Sequence, residues 1–257
     1  MEKYRLTDET INVNGITLYR IEALTYFNDV CEGDKGGFIE NERNLSQDDD
    51  CWVYDNAEVY GDASVYGDAR VCGNASVYGD AMVCGNASVY GDARVYGDAR
   101  VYGDAEVYGN ARVCGNARVC GNASVYGDAR VYGDAMVYGD AMVYGDAEVY
   151  GDARVCGNAS VYGDAMVCGN ASVYGDARVY GDARVYGDAE IKSIGDYIVF
   201  KNWWSSGRYF TWTRSNNMWS VGCFYGSGEE LIEKAYKDSE ESGNEYKAIV
   251  EYVESRL

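Results

Sequence analysis

The chain has 257 residues and carries 42 acidic against 22 basic side chains, which gives a formal net charge of −20 at pH 7. This acidity argues against binding to nucleic acid or to an anionic membrane through bulk charge. No apolar run approaches membrane-spanning length, and the first ten residues (MEKYRLTDET) lack the apolar core of a signal peptide. A cytoplasmic location is therefore the expectation.

Residues 1–52 do not repeat and are predicted to form an N-terminal hairpin followed by a cap on the β-helix. The segments KYRL and ITLYRIEAL are typical of strands, and the turn-forming sequence VNG joins them. Ile39, Leu45 and Cys51 lie six residues apart in the phase of the later alanines, so the first coil is predicted to begin here in degenerate form. Terminal repeats usually cap an exposed strand edge. A separate functional head is the alternative interpretation.

A six-residue unit, A-x-V-[YC]-G-[DN], repeats over residues 53–191 and organises the chain. Valine occupies every sixth position from Val53 to Val185, which makes 23 successive units, and Ile191 continues the phase. Strand alternation puts Ala and Val on one side and the x residue and Tyr or Cys on the other. Gly followed by Asp or Asn supplies the turn, because these residues tolerate backbone angles that β-branched residues refuse. Stacked units can bury a core that one unit cannot, so the sequence predicts a β-solenoid.

The number of units in one coil does not follow from the period alone. An aliphatic residue with a small residue two positions before it, as in Ala57 and Val59, recurs every six residues and resembles the hexapeptide repeat of left-handed parallel β-helices. That resemblance implies a mainly β fold, in which three hexapeptides close one left-handed coil. The repeats depart from that family at one position, because Tyr or Cys stands between the valine and the glycine. The absence of proline fits a fold whose ladders need nearly every backbone N–H.

The nine cysteines do not suggest a disulfide framework on such a coil. Bridged cysteines in neighbouring coils would be separated by three hexapeptides, and none of the six cysteines in the repeats has such a partner. Cysteines on one face, such as Cys84 and Cys120, lie about two coils apart, beyond the roughly 7 Å between Cα atoms that a bridge tolerates. No Cys-x-x-Cys pair occurs, which argues against a structural zinc site. Free thiols are predicted, with no metal and no cofactor.

The outward x positions form three columns if a coil has three hexapeptides, and one column places three arginines in succession. These are Arg94, Arg112 and Arg130, a candidate surface for a small anionic ligand. Stacked like charges cost stability between adjacent strands, and stacking on Tyr96 or Tyr132 would offset part of this cost. A solvated face balanced by the corner aspartates is the alternative. Those regularly spaced carboxylates could also imitate a DNA phosphate backbone, although they are ordinary turn chemistry.

Residues 192–257 differ from the repeats and are predicted to form an aromatic β-sheet followed by α-helices. The runs DYIVFKNWW, RYFTWTR and MWSVGCFYG indicate a three-stranded meander. Ser227 begins a capping-box sequence, and apolar spacing predicts helices over about 229–239 and 244–255. The sheet carries candidate partner-binding residues of the aromatic kind that dominates protein interfaces: Trp203, Trp204, Tyr209, Trp212 and Trp219. Packing of the sheet against the helices is the alternative use of these residues.

The head, the repeats and the tail together resemble uncharacterised hexapeptide-repeat proteins of bacteriophages and prophages. The segments that carry this resemblance include GDKGGFIE, CWVYDNA and RSNNMWSVGCFYGSGEEL. The resemblance implies a viral protein that acts in the cytoplasm of a bacterial host. It supplies no catalytic residues.

The absence of histidine argues against an enzyme. Acyltransferases that share the hexapeptide coil use a histidine base, and carbonic anhydrases of that fold hold zinc with three histidines. Asp, Glu or Cys could replace such a base, but in the rod every Cys or Asp stands at a repeated position, and catalysis needs one asymmetric constellation. The predicted function is therefore a non-catalytic binding or scaffold protein, directed at a host protein such as a defence factor or at a small anionic ligand, with the rod setting the geometry of a homo-oligomer. An acidic DNA-mimic inhibitor and a structural component of the virion are the alternatives.

Overall fold

A computed structural model describes residues 2–204 and 206–256, and most of them wind into a parallel β-solenoid. Each solenoid strand pairs with the strand one coil away, as in the pairs Val83↔Val101 and Val101↔Val119. The partners in these pairs are separated by three repeats, so three hexapeptides close one coil, as predicted. The pairing is the same for either hand of the helix, and left-handedness stays a prediction of the resemblance.

The chain begins with an antiparallel hairpin, β1 Tyr4–Val13 and β2 Ile16–Ala23, as predicted. Asn14 and Gly15 at its tip have φ of 53° and 89°, the positive values that two-residue hairpin turns require. β2 also pairs antiparallel with β3 Lys35–Ile39, and β3 in turn pairs parallel with the first full coil. The hairpin therefore extends one sheet of the solenoid beyond its first coil.

The first coil has a register different from the predicted one. Ile39 pairs with Val59, so it occupies a valine position instead of the alanine position that its phase indicated. Leu45 is shifted in the same way, whereas Cys51 keeps the alanine phase. Two extra residues in the irregular segment 46–50 take up the difference. The prediction was wrong here because a strict six-residue count cannot detect an insertion between degenerate repeats.

The remaining solenoid strands form three faces of eight strands each. The first face holds β4 Trp52–Val53, β7 Arg70–Val71, β10 Ser88–Val89, β13 Glu106–Val107, β16 Ser124–Val125, β19 Met142–Gly145, β22 Ser160–Gly163 and β25 Arg178–Val179. The second face holds β5 Glu58–Val59, β8 Ser76–Gly79, β11 Arg94–Gly97, β14 Arg112–Gly115, β17 Arg130–Val131, β20 Glu148–Val149, β23 Met166–Val167 and β26 Arg184–Val185. The third face holds β6 Ser64–Val65, β9 Met82–Val83, β12 Arg100–Gly103, β15 Arg118–Gly121, β18 Met136–Val137, β21 Arg154–Val155, β24 Ser172–Val173 and β27 Glu190–Ile191.

The alanines and valines of the repeats point into the rod and are fully buried. This confirms the predicted alternation, with the x residue and the Tyr or Cys on the outside. Each repeat contributes only two small apolar side chains, so the core depends on stacking. Removal of apolar surface from water stabilises by about 25 cal/mol per Å², and each coil obtains that burial from the coils above and below it.

The corners combine a glycine with an aspartate or asparagine. The corner glycines of the rod have φ between +64° and +75°. An asparagine donates its amide to the aspartate one coil on, as from Asn86 Nδ2 to Asp104 Oδ1 and from Asn122 Nδ2 to Asp140 Oδ1, both at 2.8 Å. At the corner that follows the third face, carboxylate and amide alternate coil by coil from residue 68 to residue 176. This corner is therefore a series of hydrogen-bonded asparagine–aspartate pairs, not a continuous row of negative charge.

After Ile191 the chain forms an antiparallel sheet and two helices. These elements are β28 Tyr197–Lys201, β29 Tyr209–Thr213, β30 Met218–Val221, β31 Phe224–Gly226, α1 Gly228–Asp238 and α2 Glu240–Glu254. The sheet has four strands instead of the predicted three, because the run MWSVGCFYG turns at Gly222, where φ is +60°. α2 begins four residues before its predicted start, because Ser239 ends α1 and also caps α2 by accepting from the Ser242 N–H.

This C-terminal sheet lies on the end of the rod. Backbone N–H groups of each coil donate to carbonyl groups of the next coil, as from Ser172 N to Ala189 O at 2.8 Å. The last coil has no further coil to receive its N–H groups, and the sheet supplies an acceptor: Thr211 Oγ1 accepts from Arg184 N at 2.9 Å. Tyr197 of β28 is buried in the same core as the rod valines. The sheet therefore caps the solenoid.

All nine cysteines are free thiols. Within residues 2–204 and 206–256, no three Cys, Asp or Glu side chains come together in a way that could hold a metal ion. Neither α1 nor α2, the two α-helices of the described chain, has the length and apolarity to cross a membrane.

Candidate functional site

Two tryptophans give the C-terminal sheet its most exposed aromatic surface. Trp203 and Trp204 follow Asn202, the residue after β28, and each is 72% exposed. Lys201 Nζ lies 4.2 Å from the centre of the Trp203 ring, a contact that adds about 0.5–1 kcal/mol at an exposed site. Exposed indole rings beside a cation are typical of surfaces that bind other proteins.

Trp204 also lines an apolar groove with a volume of about 430 Å³. It is lined by Ile198, Phe200, Trp204, Ala248, Ile249, Tyr252 and Val253. α1 packs on β30 and β31, at the far side of the sheet from the edge strand β28. One face of β28 is therefore covered only in part, by α2, and the groove lies between these two elements. Ile198 and Tyr252 are exposed at its rim. This groove, together with Trp203, which precedes Trp204 in the chain, is called the terminal groove below.

The other three predicted aromatic residues do not join the terminal groove. Trp212 and Trp219 are 2% and 1% exposed in the core between the sheet and the helices, so this fold does not present them to a partner. Trp212 Nε1 donates to Asn217 Oδ1 at 2.9 Å, which satisfies its polar atom inside the core. Tyr209 lines a separate polar cavity, where a hydrogen bond to Asp182 raises the pKa of its phenol.

The two faces of β29 explain why Trp212 is buried. Phe210 and Trp212 pack against the helices, and Thr211, on the opposite face, is covered by the end of the rod. A lone sheet would leave one face open to a partner, but here the rod covers it. Ile198 and Phe200 of β28 line the groove but were not among the predicted binding residues. The alternation of apolar residues in this strand could have indicated them.

The predicted arginine column is assembled as expected on the second face. Arg94 pairs in register with Arg112, and Arg112 pairs with Arg130. All three side chains are exposed. Arg130 forms an ion pair with Glu148 at 3.1 Å, whereas Arg94 and Arg112 form none within residues 2–204 and 206–256. Anion binding by this column stays a prediction.

Outward tyrosines stack in columns along the rod. Where they follow one another, as Tyr108 and Tyr126 do, the ring centroids are 4.8 Å apart and the ring planes differ by 3°. On the third face a cysteine takes every second place in the column. There a hydrogen bond to the Cys84 thiol, together with burial, raises the pKa of Tyr66. The rod thus presents parallel aromatic rings with regular interruptions.

The repeats are similar to a known family of solenoid repeats. The YdcK β-solenoid repeat matches this chain over residues 69–85, 93–109, 105–121, 111–127, 129–145, 147–169 and 177–189. The "Uncharacterized acetyltransferase YdcK" of Escherichia coli (strain K12) is 40% identical over 72 residues, which are 24% of this chain and 22% of that protein. The matching segment thus spans about a fifth of the length of this curated relative. All the matched repeats lie in the rod, and the terminal groove lies outside them.

Proposed function

We propose that this chain is a non-catalytic binding and scaffold protein, in which the terminal groove selects a protein partner and the rod sets the spacing. The observation that carries this proposal is the apolar groove lined by the exposed Trp204, next in the chain to the equally exposed Trp203. The rod repeats its surface at every coil, whereas this groove occurs once among the described residues. Specific recognition needs such unique anchors, and aromatic side chains dominate them.

The terminal groove offers a partner both apolar contact and backbone hydrogen bonds. Within the described residues β28 pairs with β29 alone, so its other edge is open. An extended partner segment that added to this edge would place alternate apolar side chains in the groove. Full burial of one aliphatic side chain of the size of Ile198 contributes about 1.5–3 kcal/mol. Several such contacts, with the two tryptophans, would have to exceed the cost of association, about 4–15 kcal/mol.

The partner is proposed to be a protein of a bacterial host, for instance a defence factor, met in the host cytoplasm. The resemblance of the whole chain to hexapeptide-repeat proteins of bacteriophages and prophages supports this setting. A small anion held along Arg94, Arg112 and Arg130 between the rods of a homo-oligomer would use the same scaffold. DNA mimicry has less support, because asparagines such as Asn86 interrupt the corner carboxylates.

Acyl transfer is a second candidate, favoured by the name of the curated relative. Acyl transfer needs a general base beside the acceptor group, and this chain has no histidine to serve as one. Asp, Glu or Cys would have to act instead, and burial raises the pKa of the Cys72 and Cys168 thiols, which disfavours their thiolate forms. Release of the coenzyme A thiol from acetyl-coenzyme A by the purified chain would favour acyl transfer over the binding role.

Affinity capture with matched variants tests the binding role. The wild-type chain, Trp203→Ala/Trp204→Ala and Arg94→Ser/Arg112→Ser/Arg130→Ser are each used to capture proteins from a host lysate, and mass spectrometry identifies what is bound. We expect one partner to be retained by the wild type and by the arginine variant, and to fall about tenfold or more with the tryptophan variant.

The arginine variant is the control, since serine occupies the same outward position elsewhere in the rod, as at Ser76. Circular dichroism verifies that both variants keep the fold. If the arginine variant lost the partner and the tryptophan variant kept it, the rod itself would be the binding surface and the proposal would be wrong.

A further inference from the structure

The third face of the rod has a row of gaps in its tyrosine column. Tyrosine and cysteine alternate there coil by coil: Tyr66, Cys84, Tyr102, Cys120, Tyr138, Cys156 and Tyr174. On the first two faces, successive tyrosines stack with ring centroids 4.8–5.4 Å apart. Each cysteine therefore replaces an aromatic ring between two tyrosines that lie two coils, about 10 Å, apart, and its thiol is hydrogen-bonded to the hydroxyl of the preceding tyrosine.

The first of these gaps is a cavity of about 230 Å³. It is lined by Tyr66, Met82, Cys84, Arg100, Tyr102 and Arg118. Tyr66 and Tyr102 are 38% and 37% exposed, because a cysteine stands in place of a tyrosine in the next coil. The cavity is smaller than the roughly 300–1,000 Å³ of sites for drug-sized ligands. Its size suits a group of one or two planar rings.

Two arginines make this cavity positively charged. Arg100 and Arg118 pair in register on adjacent coils, and both side chains are exposed. In the part of the chain that the structure describes, neither guanidinium forms an ion pair. Like charges in directly paired positions repel. An anion placed between the two guanidinium groups would remove that repulsion and form charge-assisted hydrogen bonds.

Charge distinguishes the first gap from the last gap on the same face. The gap at Cys156 has Ser172 and Glu190 in the places where the first gap has Arg100 and Arg118, and Arg154 where the first gap has Met82. Both gaps have a tyrosine on each side and a thiol at the base, so they differ mainly in the charge beside them. The first gap thus has two unpaired guanidinium groups, whereas the last gap has a single arginine and a carboxylate.

We propose that the cavity between Tyr66 and Tyr102 binds a small aromatic anion, a planar group of one or two rings that carries a carboxylate or a phosphate. The ring stacks where the other columns have a tyrosine, and the anionic group lies between Arg100 and Arg118. This site is on the side of the rod, separate from the terminal groove, and does not depend on the protein partner.

Binding of indole-3-acetate and of phenyl phosphate to the full chain, measured by calorimetry or ligand-observed NMR, tests the proposal. Cys84→Tyr fills the gap with the residue that the repeat uses elsewhere, so the rod keeps its fold. Cys156→Tyr makes the same change at the matched gap. We expect Cys84→Tyr to weaken binding about tenfold or more and Cys156→Tyr to change it by less than about twofold.

The charge is tested with Arg100→Ser/Arg118→Ser and with the neutral probe indole-3-acetamide. The wild type should prefer indole-3-acetate over the amide by about tenfold, and the double variant should lose that preference. The tighter of the two anionic probes shows whether the site takes a carboxylate or a phosphate. A wild type that binds neither anion, or a Cys84→Tyr variant that binds them as the wild type does, would overturn the proposal.

Discussion

At the scale of single residues, the corner glycine is required for two reasons, its positive φ and the close approach of the next coil. Gly121 has φ +70°, and a Cβ built on it would lie 3.0 Å from Gly139 N in the next coil. Gly181 has a similar φ, +64°, but nothing lies within 4 Å of a Cβ there. A left-handed backbone costs a residue with a side chain about 1–2 kcal/mol. Comparison of the two positions separates that cost from the cost of close coil stacking.

We expect Gly181→Ala to lower the local free energy of unfolding by about 1 kcal/mol and Gly121→Ala by about 2–4 kcal/mol. The added methyl group at Gly121 pushes the backbone of the next coil away as well as straining its own φ. Hydrogen exchange on peptides that span each corner measures the two losses. Equal losses would show that φ alone requires the glycine.

The burial of single residues was predicted correctly where a residue type occupies the same position in every repeat. Val and Ala of the repeats are buried in every coil because the strand period places them inside. Trp212 and Trp219 are buried against the two helices, which is the alternative use of these aromatic residues, because the sequence does not reveal which face of the sheet the helices cover. The alternation of Tyr and Cys at Cys84 and the succession of Arg100 and Arg118 both follow from a coil of three hexapeptides, but the cavity between them depends on how the side chains pack.

At the scale of the elements, hydrogen-bond donors cap one end of the rod and hydrogen-bond acceptors cap the other. The N-terminal end leaves carbonyl groups open, and Asn44 Nδ2 donates to Gly61 O at 3.0 Å and to Ala63 O at 2.8 Å. The C-terminal end leaves N–H groups open, and Ser215 Oγ accepts from Glu190 N at 2.7 Å. An amide donor suits the first end and hydroxyl acceptors suit the second, so the direction of the ladder decides the chemistry of each cap.

Thr211→Val tests the C-terminal cap, because it keeps the shape of the side chain but removes the acceptor for Arg184 N–H. The orphaned donor should cost about 1–3 kcal/mol, seen as faster hydrogen exchange in β26 and the last coil. The middle of the rod should be unaffected, since coils interact with their neighbours only. Thr10→Val, at an exposed position of β1, is the control. Unchanged exchange in β26 would mean that the sheet does not cap the ladder.

Element types were predicted better than their counts and boundaries. The hairpin, the solenoid strands and both helices follow from alternation, turn residues and apolar spacing. The fourth strand of the C-terminal sheet was missed because a run of apolar residues gives no sign that Gly222 turns the chain. The early start of α2 was missed because Ser239 serves two helices at once.

The whole molecule is a regular rod. Surfaces that occur only once lie at its ends and where a cysteine replaces a tyrosine. The solenoid follows from the six-residue period, but the coil of three units came from the resemblance and is now visible in the pairing. The terminal groove could not be predicted, because it depends on how α2 and β28 meet in space. A local sequence pattern does not determine how two such elements pack.

Hydroxyl-radical footprinting of the captured complex shows most directly whether a protein partner binds at the terminal groove. Trp203, Trp204 and Tyr252 are 72%, 72% and 62% exposed, so the free chain should label strongly there. We expect the partner to protect these three side chains. Tyr138 and Met142 on the rod, 36% and 38% exposed, should label at an unchanged rate. Protection of the rod side chains with unchanged labelling of the two tryptophans would contradict the claim.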